Sequence, residues 1–176
     1  MSLYFITGGS ATGKSALSLE VRNRGYNTYD TDDDALARWQ NIETGYIHPK
    51  SSVKPADRTA EFLQTHLWNV PREFVEDIAK ENKVSTAFIC GVANNMDQIR
   101  DLFSGIFALT VDEETLRHRI ANRTNNDWGK QPHELAQILE AHRTTLDTYT
   151  RLGYMTIDAT RPIETVADEI LAYTYQ

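Results

Sequence analysis

Residues Gly8-Gly9-Ser10-Ala11-Thr12-Gly13-Lys14-Ser15 fit the pattern G-x-x-x-x-G-K-[ST] in full. Glycines at these positions let backbone N–H groups curl around phosphate oxygens without Cβ clashes, and the helix that follows presents its positive end to them. Lys14 is placed to reach the β- and γ-phosphates, and the Ser15 hydroxyl to ligate Mg²⁺. The apolar run Leu3-Tyr4-Phe5-Ile6 before the loop reads as a buried strand. Ala16, Leu17, Leu19 and Val21 after it read as one helix ending near Gly25. A glycine turn that spelled the pattern by chance would not need this strand–loop–helix setting. The pattern therefore implies a nucleoside triphosphate, ATP in the first instance, bound with Mg²⁺ by all eight residues.

Strands and helices alternate along the rest of the chain. Residues 26–31 read as a second strand, stopped by Asp32-Asp33-Asp34. Residues 34–83 are expected to be mainly helical, with loops at 43–55 and at Pro71. Residues 84–90 and 105–111 have the unbroken apolar character of buried parallel strands. Asp112 opens a helix to about Arg123, and residues 124–131 lose all apolar periodicity and form a loop. Pro132 starts a helix with Leu135, Ile138, Leu139 and Leu146 on one face. Residues 153–157 read as a fifth strand and 163–173 as a closing helix. This order predicts one α/β domain over residues 1–176, a parallel sheet covered by helices on both faces.

Composition excludes several classes. The net charge of −7 gives no basic footprint for a long nucleic-acid partner. The one cysteine, Cys90, lies in an apolar run and rules out an intramolecular disulfide framework. The N-terminus does not resemble a signal peptide, and no stretch approaches transmembrane length, so a cytoplasmic protein is expected. The five histidines show no metal-ligand spacing. Oligomeric state is not encoded in any of these features.

Absences narrow the kind of nucleotide-binding protein. Asn82-Lys83-Val84-Ser85 lacks the aspartate of a guanine-reading N-K-x-D sequence. The third strand ends in Cys90-Gly91, where many ATPases carry an Mg²⁺-organising aspartate. Acids appear instead after the second strand, as Asp30-Thr31-Asp32. On a strand, side chains i and i+2 share a face, so both carboxylates can point toward the phosphates. Asp30 is then the Mg²⁺ ligand and Asp32 the group that orients or deprotonates an acceptor hydroxyl. Asp33 and Asp34 read as helix-start residues. Arg119 and Arg123 lie four apart on one helix with no carboxylate at i−4, a like-charge pair that an anion between them would relieve. They read as a clamp on the transferred phosphoryl group, whereas Arg117 has Glu113 as an i−4 partner.

With these residues in place the chain resembles the small P-loop kinases: shikimate, gluconate and adenylate kinases and their relatives. The resemblance spans nearly the whole chain and is specific at the two ends and around residues 119–131. It implies a five-stranded parallel sheet of order 2-3-1-4-5, an acceptor-binding region at 34–83 and a lid at 124–131. It also implies that Arg119 faces the adenine or outer phosphates, and that Arg161, in Asp158-Ala159-Thr160-Arg161-Pro162, lies at the adenine. Arg38, Arg58 and Arg143 become candidates for gripping the acceptor; Arg143 also has Glu140 three residues away as a rival partner. The family's glycine-rich acceptor loop is replaced by Gly91-Val92-Ala93-Asn94-Asn95. That loop and the aromatic residues at 39–74 favour a nucleoside or nucleotide acceptor, with a sugar acid or antibiotic second. The expected activity is Mg²⁺-dependent phosphoryl transfer from ATP to a small molecule. The alternatives are a regulatory NTPase or switch, and a polynucleotide end-kinase.

Overall fold

The structure, a computed structural model, describes residues 2–32, 36–49, 52–124 and 129–174. Its centre is β1 (Ser2–Gly8), whose apolar side chains alternate between two cores. Tyr4 and Ile6 face one side of the sheet, Leu3 and Phe5 the other. Chain order continues with α1 (Lys14–Asn23), β2 (Asn27–Asp30), β3 (Arg38–Asn41), a 3₁₀ turn at Pro55–Asp57, α2 (Ala60–Thr65), β4 (His66–Asn69) and α3 (Arg72–Glu81). Then come β5 (Thr86–Cys90), α4 (Met96–Ile99) with a 3₁₀ turn at Arg100–Leu102, and β6 (Gly105–Thr110). The chain closes with α5 (Glu113–Asn122), α6 (Pro132–Arg151), β7 (Met155–Asp158) and α7 (Ile163–Thr174).

The main sheet has the order β2-β5-β1-β6-β7, with every neighbouring pair parallel. Counted among these five strands alone, that is the expected 2-3-1-4-5. Phe5, Phe88 and Phe107, on the three inner strands, are fully buried. Leu17, Val21, Leu116, Ile120, Val166 and Ile170 cover one face. Val75, Ile78 and Ile99 cover the other. Among the described residues no helix is long and apolar enough to cross a membrane.

Local signals place the later helices. The Asp112 carboxylate caps α5 by accepting from Thr115 N at 2.6 Å. Pro132 occupies the first turn of α6, and Glu134 Oε2 accepts from Gln131 N at 3.3 Å. Leu146 departs from the expected apolar face: it is 52% exposed and lines a cavity with Leu109, Leu116 and Ile138. Val84, expected to open the third strand, is fully exposed, and pairing begins at Thr86.

The expectation of a mainly helical 34–83 segment needs correction. β3 and β4 form an antiparallel ribbon, with Trp39 opposite Trp68 and Arg38 opposite Asn69. Each strand has only four residues and their pairing spans a long connection, so neither shows a long alternating pattern in the sequence. The cross-strand aromatic pair, with ring centroids 5.1 Å apart, supplies the packing that holds the ribbon. Asp33 and Asp34, read as helix-start residues, lie outside the described residues, as do residues 125–128 of the lid.

Gly91, directly after β5, is required by space. A Cβ there would meet Thr31 Oγ1 at 1.9 Å, and its φ of 145° already disfavours any side chain. Thr31 is fully buried, and its hydroxyl accepts from Val92 N at 3.2 Å. Gly91→Ala is expected to lower stability by about 1–3 kcal/mol or more, read as a lower urea midpoint with an unchanged slope. An unchanged midpoint would contradict this packing.

Candidate active site

The Gly8–Ser15 loop leaves the central strand and enters α1 with its backbone held in shape from inside. Gly8 is required by space: a Cβ would meet Thr12 Oγ1 at 2.5 Å and the Leu109 carbonyl at 2.9 Å. Ala11 has φ 58°, in the left-handed region that non-glycine residues seldom occupy, and Gly13 has φ 103°. Thr12, buried, donates its hydroxyl to Gly9 O at 3.0 Å. Gly13 caps α1 with no side-chain hydrogen bond, and the first turn carries no acidic residue. The N–H groups of that turn are thus left to an anion, which is what a triphosphate needs. Ser15 stands exposed in the same turn.

Lys14 folds over the loop and donates to the Gly8 and Gly9 carbonyls, each at 2.8 Å. Burial pushes its ammonium below the ordinary lysine range; Asp32 and then Asp30 oppose that shift by attraction. Both acids therefore sit in the electrostatic neighbourhood of the lysine, as their spacing predicts. The route differs from the expected one. β2 ends at Asp30, and Asp32 lies in the following turn, its N–H donating to Asp30 Oδ1 at 2.8 Å. The turn, rather than a shared strand face, brings the carboxylates together. Asp30 is buried and Asp32 exposed, which suits one for a held position and the other for an incoming group.

The two arginines of α5 both reach the loop. Arg119 Nη1 donates to Thr12 O at 3.1 Å and Nη2 to Ala159 O at 2.7 Å. It therefore ties the phosphate loop to the β7–α7 connection that carries the expected adenine site. Arg123 Nη1 donates to Ser10 Oγ at 3.3 Å and adds its positive charge to the surroundings of Lys14. Arg161 is turned elsewhere: its guanidinium pairs with Glu169 and donates through Nε to Asp158 O at 3.0 Å. These partners hold its charge above the ordinary arginine range.

The acceptor candidates separate. Arg38 lies on the ribbon face opposite Trp39 and Trp68, with its guanidinium 5.5 Å from the Phe74 ring. Arg58 sits over Trp39 at 5.7 Å, on the face that carries Trp68. Arg143 makes the rival contact, a 2.7 Å pair with Glu140, both side chains mostly exposed. It also lines a cavity of about 650 Å³ beside Gly9, Ser10 and Thr12, whose lining includes neither Asp30 nor Asp32. At the far end of the lid, Gly129 is buried against Ile120 and Ile138, and its N–H donates to Glu134 Oε2 at 2.9 Å. This glycine docks its end of the loop to α6.

Sequence reasoning missed Trp68, whose Nε1 donates to Asp32 Oδ1 at 3.0 Å. It also missed the use of the two asparagines. Asn94 Oδ1 accepts from Trp68 N at 2.9 Å, and Asn95 exchanges two 2.9 Å bonds with the Val70 backbone. These amides hold the ribbon, so they do not supply the base-reading groups that favoured a nucleoside acceptor.

The fold recurs in solved structures. The chain is similar to a shikimate kinase from Bacteroides thetaiotaomicron at 17% identity and TM-score 0.63, with 99% of each chain covered. The fold is that of the small P-loop kinases. A gluconokinase from Sinorhizobium meliloti 1021 is similar at 16% identity and TM-score 0.54, over 97% of this chain and 90% of that one. A sugar kinase from Janibacter sp. HTCC2649 is similar at 18% identity and TM-score 0.55, over 99% and 94%. No family model matches the sequence, and no curated protein sequence is similar to it.

Arg119→Met is expected to raise the dissociation constant for Mg·ATP roughly tenfold or more, since two hydrogen bonds from a charged group vanish and two carbonyls lose a donor. Calorimetric titration checks this; parent-like affinity would contradict the bridging role.

Proposed function

We propose that the protein is an ATP- and Mg²⁺-dependent phosphotransferase acting on a hydroxyl of a small polar molecule. The observation that carries this reading is the convergence of Asp30 and Asp32 on the neighbourhood of Lys14, with Arg123 on the same loop. A protein that only bound nucleotide would need the loop but not a second, exposed carboxylate beside it.

The roles follow from geometry and charge. Lys14, Arg119 and Arg123 would neutralise charge on the transferred phosphoryl group and its neighbours. Ser15 and Asp30 offer hard oxygen donors of the kind Mg²⁺ takes together with phosphate oxygens. The ion, when bound, draws charge from the phosphates and so eases departure of the leaving group. Asp32 would orient the acceptor hydroxyl and accept its proton as the O–P bond forms.

For the acceptor, a sugar acid or related hydroxy acid is favoured over the nucleoside or nucleotide expected first. Gluconokinase, sugar kinase and shikimate kinases share the fold, and Asn94 and Asn95 are committed to the ribbon. Arg58, on the ribbon face with Trp68, is the best placed of the three candidate arginines for an anionic acceptor group.

One observation supports a second reading as a nucleotide-dependent switch. Ile42, Tyr46, Ile47, Leu63 and Leu67 are all exposed in and beside the ribbon, an apolar surface suited to a protein partner.

A panel of sugar acids, shikimate, nucleosides, nucleotides and aminoglycosides, scored by ADP release above the acceptor-free blank, separates the readings. Turnover raised by a hydroxy acid is the expected result; no response to any member favours the switch. Asp32→Asn should abolish transfer while leaving Mg·ATP affinity within about twofold. An active Asp32→Asn enzyme would remove Asp32 from the proposed chemistry.

A further inference from the structure

The ribbon divides its side chains between two faces. Trp39 and Trp68 are opposite each other on one; Arg38, Gln40 and Asn69 occupy the other. The Trp68 ring rests on Trp39, and its indole N–H donates to Asp32 Oδ1 at 3.0 Å. The Trp68 backbone is pinned in both directions by one residue. Its N–H donates to Asn94 Oδ1, and its carbonyl accepts from Asn94 N, each at 2.9 Å. The next residues repeat the device, with buried Asn95 bonded to both backbone groups of Val70. Four hydrogen bonds thus fix the backbone from which the indole projects.

Asp32 is also approached from the side of the main sheet, where the hydroxyl of fully buried Thr31 lies 3.5 Å from its Oδ1. It lies past the end of β2, in an exposed turn, and the 3.0 Å bond from Trp68 Nε1 is the shorter of these two contacts to Oδ1. We propose that Trp68 is the positioning residue of Asp32: the indole N–H holds the carboxylate beside Lys14, and the 91–95 loop holds the indole. The inference rests on the phosphotransfer reading of Asp32 above. It gives the ribbon a task in the reaction, because any shift of β4 against the 91–95 loop moves the acid that meets the acceptor.

Two measurements on the full chain test it. In ¹H–¹⁵N spectra the indole N–H signals of the three tryptophans are assigned by single Trp→Phe replacements. Asp32→Ala is expected to move the Trp68 signal upfield while the Trp39 signal stays. In the acceptor panel, Trp68→Phe keeps a ring against Trp39 and removes the donor. It is expected to lower kcat roughly ten- to a hundredfold with the KM for ATP unchanged. Asn94→Ala, which frees the strand, should reproduce part of both effects.

A Trp68 signal indifferent to Asp32→Ala overturns the proposal, and so does a Trp68→Phe enzyme with the parent kcat. If Asp32→Asn transfers phosphate at the parent rate while the Trp68 signal still follows Asp32, the base assignment fails. The positioning proposal then falls with it, for a reason the spectra keep distinct from loss of the hydrogen bond.

Discussion

Everything in the site is arranged around one ammonium taken partly out of water. Lys14 loses hydration over its loop, and that loss lowers its affinity for a proton relative to the unfolded chain. A lysine whose pKa is lowered on folding destabilises the fold at neutral pH, and the penalty fades as the pH rises toward the unfolded value. Two carbonyls of the loop and the charges of Asp32 and Asp30 offset part of this penalty. A phosphate would supply a larger share. The carboxylates that make the buried ammonium tolerable are the same groups that the chemistry of phosphoryl transfer calls for. Cys90, buried nearby, does not join them: burial pushes its thiol up to about 12, so it stays neutral.

A second constraint is close packing at the ends of β1 and β5. Gly8 and Gly91 leave the space that Thr12, Leu109 and Thr31 fill. With Gly91 backed against Thr31, no side chain fits directly after β5. The two acids come from the last residue of β2 and from the turn after it. On the opposite flank, Arg119 joins the Gly8–Ser15 loop to the β7–α7 connection at Ala159.

How much of this could be read from the sequence depends on the range of the interactions. The strand–loop–helix unit and the α5 cap at Asp112 follow from local pattern, whereas the strand order is legible only through the resemblance to the small P-loop kinases. Arg119 and Arg123 were found through the absence of local carboxylates, and both do reach the loop. The ribbon was invisible, since two four-residue strands gain their stability from each other and from Asn94 and Asn95, not from any periodicity of their own. The same gap hid the Trp68–Asp32 bond, which joins residues 36 apart, and lent the asparagines a ligand-reading role they do not have. The pairing likewise decides that Arg38 and the Trp39–Trp68 pair lie on opposite faces of the ribbon, which no local pattern shows.

The central claim is that one phosphoryl group is gripped jointly by the loop, the α5 arginines and the acids after β2. A crystal structure with Mg·ADP and aluminium fluoride, a planar mimic of the group in transfer, tests it most directly. The account predicts Lys14 Nζ and the Arg123 guanidinium on the fluorides, Ser15 and Asp30 around the Mg²⁺, and Asp32 on the side away from ADP. Nucleotide bound in the loop with Asp32 turned away from the fluoride and Arg123 still on Ser10 would contradict it.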